Sequence, residues 1–484
     1  MRIFLSGIIL ALGCGSHTGD GTDGKGSGSN NHPDACVGLQ CQVDASCAQK
    51  GMPATSISGT VYAPNGTLPL YGITVYVPNG DPGPMPSGPF CNQCGATQAG
   101  SPVGLPVTTD EMGHFTLNDM PSGSNIPLVI TTGKWRRIIN LGSVASCGDN
   151  AISNKADTTL PKSIDDATPN TMVPAGWTAP AIDMPHIAIT TGGCDQLECL
   201  ARRLGIADKE FTASGGSGHV HLYAGTGGVN QFDSGWPGGA GALSSATPFW
   251  GGTNGTPATL NNYDIVMLSC ECGQNPGTKP QPALDAMKAY ADAGGRVFAS
   301  HWHNIWIGGA WDGGGTQAPA IWAGPINTGN KTGAPGIAGW KDSNDPGTPD
   351  IIDEVNNPKG VSFATWMLNV MGSTVRDQID ILPMTDRSTC TTLDNTKAEQ
   401  WTYTGPQAGY TPPHPQNFQF TTPNEQPPTN RCGKVVFSDM HVSGGPNGNS
   451  FASSCGGTTT LSAQEKALAF MFFDISSCVN TTIQ

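Results

Sequence analysis

YADAGGRVFASHWHNIWIGG, residues 290–309, is the stretch whose reading decides the fold. Its alanine-rich start reads as the end of a helix, Gly294-Gly295 as the stop, and Arg296–Ser300 as a short apolar strand. His301 and His303 stand where that strand runs out. The same grammar extends in both directions. HIAITTGG (186–193), HVHLYAG (219–225), NNYDIVMLSC (261–270) and GKVVFSDMH (433–441) read as strands. CDQLECLARRLG (194–205), PQPALDAMKAYADAGG (280–295), FATWMLNVMG (363–372) and LSAQEKALAFMFFDISS (461–477) read as helices, the last with Leu461, Leu468, Met471 and Phe472 near one face. Alternating strand and helix builds a mostly parallel sheet covered on both faces, and such sheets bind ligands beyond the carboxyl ends of their strands. The ends at 192–194, 269–272 and 300–303 should therefore lie together.

Residues 54–140 obey a different period. Ile57 with Val61, then Ile73, Val75 and Val77, then Phe115 with Leu117, and Leu128 with Ile130 alternate with polar positions. PNG (64–66 and 78–80), TDEMGH and MPSGSN punctuate them as turns, which predicts an antiparallel β-sandwich. Residues 141–182 are polar and proline-rich and read as a linker. The fold class expected is thus multidomain, β plus α/β, with an Ig-like sandwich followed by an α/β domain over 183–480.

Several of these stretches resemble known families. ISGTVYAPNGTLPLYGITVYV, TTDEMGHFTLNDM and PSGSNIPLVI are similar to the carboxypeptidase regulatory-like, transthyretin-type domain, which carries no peptidase chemistry. The match departs from that pattern in an insertion, residues 82–103, holding Cys91 and Cys94. NNYDIVMLSCE with ALDAMKAYADAGGRVFASHWHN resembles the class I glutamine amidotransferase-like fold, in its ThuA-like branch. There the strand ends in histidine instead of a nucleophilic cysteine; His301 takes that place, and GKVVFSDMH ends on His441 in the same manner. Without a thiol at the elbow, glutaminase chemistry is not expected.

The chain begins MRIFLSGIILALGC: one basic residue, an apolar run from Ile3 to Leu12, then Gly13-Cys14. That is a secretory signal, shorter than the roughly 20 apolar residues a spanning helix needs. ALGC resembles a bacterial lipobox, which implies a lipidated Cys14 after removal of residues 1–13, with Gly15 favouring the outer membrane; ordinary signal cleavage is the alternative. A glycine-rich tether and the cysteine-rich CVGLQCQVDASC (36–47) complete residues 14–53. The expected location is the cell envelope, periplasmic or surface-exposed. A formal net charge of −14, with 12% of residues charged, argues against nucleic-acid partners.

Of the 15 cysteines, setting aside Cys14 leaves an even number, so disulfides are the expectation in an exported chain. The pairs proposed are Cys199–Cys270, Cys194–Cys272, Cys390–Cys432 and Cys455–Cys478; four thiolates on zinc is the competing reading of the first four. His301 and His303, one residue apart, would point to one side of an extended chain, a metal-chelating arrangement with Glu271, Asp439 or His441 as third ligand. Acid–base catalysis by His301 with Glu271 and His441 is the other chemical option. No cofactor is firmly implied beyond such a divalent ion. His219 and His221 fall early in their strand and read as structural.

Trp302, Trp306, Trp311, Trp322 and Trp340 crowd into the residues after the elbow. Exposed indoles beside amides such as Asn304 suit sugar rings, and a satellite core under a glycine-rich loop is the alternative. Two functions follow from this sequence. One is recognition of a glycan or envelope protein through Trp302, Trp306, Trp311 and Asn304. The other is a sugar-active, hydrolase-type enzyme using His301 as acid–base group or metal ligand.

Overall fold

The computed structural model of the chain describes residues 36–310, 322, 337–456 and 460–480. The signal, Cys14, the glycine-rich tether and Trp311 lie outside the described residues. The chain divides into two compact units, Met1–Val37 and Gly38–Gln484, and all that follows concerns the second. It is rich in β-structure, with several sheets and few helices. Among the described residues no helix is long and apolar enough to cross a membrane.

The period-two segments form two sheets around one core. His114–Asn118 pairs antiparallel with Ser56–Thr60, setting Ile57 opposite Leu117 and Gly59 opposite Phe115. Beside them lies a five-stranded antiparallel sheet in the order 102–108, 74–78, 123–132, 135–144, 182–183. Ile57, Val61, Ile73, Val75, Val77, Phe115, Leu117, Leu128 and Ile130 are all buried in a shared cluster, as their alternation requires.

Residues 141–182 do not act as a linker. Arg137, the third residue of strand Trp135–Val144, is buried, and a buried guanidinium must have its donors met. The 141–182 segment supplies the partners: Arg137 donates to the Thr159 and Asp166 carbonyls and to Thr171 Oγ1, and pairs with the Asp166 carboxylate at 2.6 Å. Leu160 and Ala179 are buried along the same strap. The polar residues of this segment coat a buried cation instead of linking two domains.

The largest sheet has eleven strands. Six run parallel in the spatial order 211–213, 220–224, 187–190, 265–268, 296–300 and 433–438, and a seventh, 244–245, pairs parallel with 220–224 off that path. From Gly433–Ser438 onward the sheet turns antiparallel through 415–422, 399–404, 350–352 and 378–379. The expected helices form at Leu197–Arg203, Gln281–Asp292, Gly360–Asn369 and Ala463–Ser476. At the stop after Gln281–Asp292, Gly294 has φ +111° and a Cβ there would strike the Phe90 backbone, so glycine is required.

The terminal helix differs from expectation. It opens on a capping box between Ser462 and Glu465, and all but two of its positions are buried, not one face alone. The cause is that both sheets use it. Phe472 meets Trp135 edge-on at 5.6 Å, Phe470 stacks on Tyr71 at 5.7 Å, and Trp366 on a neighbouring helix donates to the Pro69 carbonyl at 2.9 Å. The sheets of residues 54–183 and the large sheet thus share one core. Cys91–Cys432 and Cys94–Cys478 clamp them covalently, so the insertion that interrupts the first family pattern is a clasp.

Asp474 sits at the inner end of this helix. Burial alone would raise its pKa, but ion pairs with Lys359 and Lys434 hold the carboxyl well below the usual carboxylate range. Because the folded value is depressed, the stabilisation is complete above the unfolded value of about 4 and is lost as pH falls below it. We expect Asp474→Asn to lower stability by about 3 kcal/mol at pH 7, since the buried Lys434 ammonium and the half-buried Lys359 lose their counter-charge. In urea unfolding the deficit should shrink below about pH 4; a deficit that stays constant with pH would refute the assignment.

Candidate functional site

Strand Arg296–Ser300 is buried along its whole length between its neighbours 265–268 and 433–438. At its end the backbone turns sharply. His301 has φ +47°, a left-handed conformation that costs a non-glycine residue of order 1–3 kcal/mol, and the chain then enters a 3-10 turn, 301–304, and a short helix, 305–308. The strained turn aims the imidazole sideways across the strand ends. His301 Nδ1 lies 3.2 Å from Cys270 Sγ, two residues past the adjacent strand. His301 Nε2 lies 2.9 Å from Ser343 Oγ. On the other side the His441 ring meets it edge-on at 4.9 Å. Three adjacent strands therefore deliver Cys270, His301 and His441 to one point, and all three side chains are buried.

Carboxylates surround this point. Asp195, beyond strand 187–190, accepts from Ser300 Oγ at 2.7 Å and from the Val442 amide at 2.7 Å. Asp439 accepts from the Thr389 amide and hydroxyl at 2.7 and 2.8 Å. Asp350 and Asp386 are buried with neither carboxylate oxygen hydrogen-bonded. Close approach of backbone is built in: a Cβ at Gly192 would collide with the carbonyls of Ser269 and Cys270.

Burial sets the ionisation. It pushes the Cys270 thiol up to about 12, against hydrogen bonds from the Trp302 and Cys272 amides. It pushes His301 well below its ordinary value, with the nearby His441 and Arg387 adding to the effect, and takes His441 down to about 3. Desolvation raises Asp195 to about 6 and Glu198 to about 8, and raises Asp386 to about 10 with help from Asp350. At neutral pH the centre holds neutral imidazoles and a neutral thiol, Glu198 and Asp386 are protonated, and Asp195, raised only to about 6, stays largely ionised.

His441 is distinctive. Its backbone is tied down, with the amide donating to the Thr385 carbonyl and its carbonyl accepting from Gln464 Nε2. Yet neither ring nitrogen has a hydrogen-bond partner.

Several sequence expectations need correction. His303 does not join His301, because the chain after residue 301 is helical rather than extended, so the rings diverge. His303 Nε2 bonds the Ser269 carbonyl and its Nδ1 accepts from Trp306 Nε1, leaving nothing for a metal. Glu271 is also engaged elsewhere, paired with Lys279 at 2.5 Å and accepting from the Thr226 amide. Neither belongs to the centre.

Trp306 and Asn304 are not surface contacts. Trp306 packs edge-on against Trp250 at 5.4 Å, and Asn304 is buried with its carbonyl accepting from Gln274. Trp322 and Trp340 are buried too, and Trp302 is half-buried beside His301. Trp306, Trp322 and Trp340 pack with the strand residues Val266, Leu268, Val297 and Phe437 in the core on one face of the large sheet. His219 and His221 are structural, held by Glu210 and Tyr263.

The disulfides differ as well. Cys194–Cys272 forms. Cys199 pairs with Cys455 instead of Cys270, Cys432 with Cys91 instead of Cys390, and Cys478 with Cys94 instead of Cys455. Cys270 and Cys390 remain free and buried. Two unpaired thiols preserve the even count on which the pairing rested. Cys270 was thus missed as a site residue, although its place after an apolar strand beside the elbow strand was the signal; Asp350, Asp386 and Ser343 had none in the sequence.

No family model and no curated protein matches the chain.

Alkylation of the native, non-reduced protein should leave Cys270 and Cys390 unmodified, whereas alkylation after denaturation should label both. Peptide mapping should recover Cys199 linked to Cys455; a Cys199–Cys270 peptide would contradict this geometry.

Proposed function

We propose that this chain is an exported, lipid-anchored envelope protein whose large sheet carries a hydrolase-type centre at Cys270, His301 and His441. The lipobox-like Cys14 and the several disulfides support an oxidising, envelope location. Two sheets enclosing one core at 54–140 agree with the transthyretin-type resemblance, and parallel strands ending on His301 and His441 agree with the ThuA-like one.

The single observation that carries the reading is the His441 ring, buried yet free at both nitrogens, beside a His301 held on a strained turn. A buried polar group left unpaired costs about 1–3 kcal/mol, and a chain that retains one at a convergence of strand ends retains it for use. With both imidazoles neutral at pH 7, His441 is an acceptor for a substrate or water proton, a general base. The raised carboxyls of Glu198 and Asp386 supply the complementary acids, following the rule that environments pushing two titratable groups apart assign base and acid. Recognition through the tryptophan-rich segment has less support, since Trp306, Trp322 and Trp340 are core residues.

The test uses defined probes: p-nitrophenyl glycosides for sugar-active chemistry and p-nitrophenyl acetate for acyl transfer. His441→Gln and His301→Gln should each lower the turnover found with wild type by about 10²–10⁴-fold, while thermal unfolding stays cooperative. Absence of wild-type turnover on both probe classes, or turnover that survives both substitutions, would defeat the enzymatic reading.

A further inference from the structure

We infer that Cys270, His301 and His441 are the ligands of a borderline-soft divalent transition ion, of which zinc is the type. The inference rests on the reading of this centre as functional and adds the group that would make it so.

Geometry is the first argument. Cys270 Sγ and one ring nitrogen from each histidine lie within 4.8 Å of one another. A tetrahedral ion with Zn–S of about 2.3 Å and Zn–N of about 2.0 Å places such atoms roughly 3.5 Å apart. The Cys270–His301 separation of 3.2 Å is already close to that value. Ligand chemistry is the second argument. One thiolate and two imidazoles are a donor set that selects zinc-like ions over magnesium or calcium.

The third argument is the state of each imidazole. His301 has its Nε2 on Ser343 Oγ, so its Nδ1 is fixed toward Cys270, which is how second partners orient metal-binding histidines. His441, free at both nitrogens, lacks only something to bind. A hydrogen-bonded Cys270–His301 pair accounts for two of the three residues and leaves His441 unexplained. An ion accounts for all three.

Charge is the fourth. The carboxylates of Asp195 and Asp439 act on Cys270 through space, so the pocket is negative where a cation would sit. Binding forms one metal–sulfur and two metal–nitrogen bonds and releases the Cys270 proton to solvent. The cation takes over the charge compensation that a buried thiolate cannot otherwise have. Among the described residues no fourth histidine, cysteine or carboxylate joins the cluster. Three protein ligands leave one position for water or substrate, the arrangement of catalytic rather than structural zinc.

Cobalt(II) is the probe, because its thiolate complexes absorb where zinc's do not. The full-length, disulfide-intact protein is freed of metal with chelator and titrated with cobalt. It is also refolded from denaturant, disulfides retained, in the presence of cobalt, so that burial does not bar entry. We expect one cobalt per chain, a near-ultraviolet sulfur-to-cobalt band, and displacement by stoichiometric zinc. Cys270→Ser should abolish the band, and His441→Gln should weaken binding at least tenfold, while Cys390→Ser, altering the other free thiol, leaves both intact. Thermal unfolding of each variant identifies any that fail to fold, and Cys270→Ala serves as the second variant at that position.

A wild-type protein that takes up no cobalt by either route overturns the inference, as does a band that persists in folded Cys270→Ser or Cys270→Ala or disappears in folded Cys390→Ser. Stoichiometric metal without turnover on the p-nitrophenyl probes would defeat the enzymatic reading alone. Turnover in a protein that binds no cobalt would defeat this inference alone.

Discussion

The burial of one helix, Ala463–Ser476, holds the rest of the protein in place. An amphipathic helix has one face to hide, whereas this one is enclosed nearly all round, so it must have protein on every side. The sheets of residues 54–183 supply Trp135 and Tyr71, and strands 296–300 and 433–438 of the large sheet supply the opposite wall. At its end a single carboxylate, Asp474, pairs with two ammonium groups from different elements, the half-buried Lys359 and the buried strand residue Lys434. Separating the two parts of the molecule would expose the apolar side of the helix that Trp135 and Tyr71 cover. The Cys91–Cys432 and Cys94–Cys478 bridges close the same seam covalently, joining residues 341 and 384 positions apart.

A rigid seam matters to the candidate centre because the centre is built from ends. Cys270, His301, His441 and Asp195 each lie just past a different strand, so their mutual distances depend on sheet register and on turn geometry, not on neighbouring residues. Register follows from the parallel pairings, which align Leu268 with Ala299 and Ser300 with Ser438. Turn geometry follows from the left-handed backbone at His301. A histidine tolerates that conformation only where surrounding structure overrides the local cost, and the buried strand behind it does so.

Dehydration then determines the chemistry. The same burial that raises Cys270, Asp195, Glu198 and Asp386 lowers His301 and His441. Every group is driven toward its neutral form, and that makes the centre a good host for one added charge. Neutral imidazoles and a thiol that gives up its proton are the ligand forms a cation requires, and the same neutral imidazoles are the forms that accept protons from a substrate.

Local periodicity and punctuation determined the elements. The alternation at 54–140, the alternating strands and helices of the large sheet, and the position of His301 at a strand end are properties of a few consecutive residues, and side-chain period alone encodes them. His441 stands at the end of the strand written GKVVFSDMH, and the structure sets its ring beside His301. What only the tertiary structure decided are the relations between distant segments: which cysteines pair, that Cys270 is free to meet His301, that residues 141–182 coat a buried arginine, and that Trp306, Trp322 and Trp340 are core. The physical reason is the same in each case. A hydrogen bond, a disulfide or a burial is a property of two surfaces brought together, and one stretch of sequence carries only its own half.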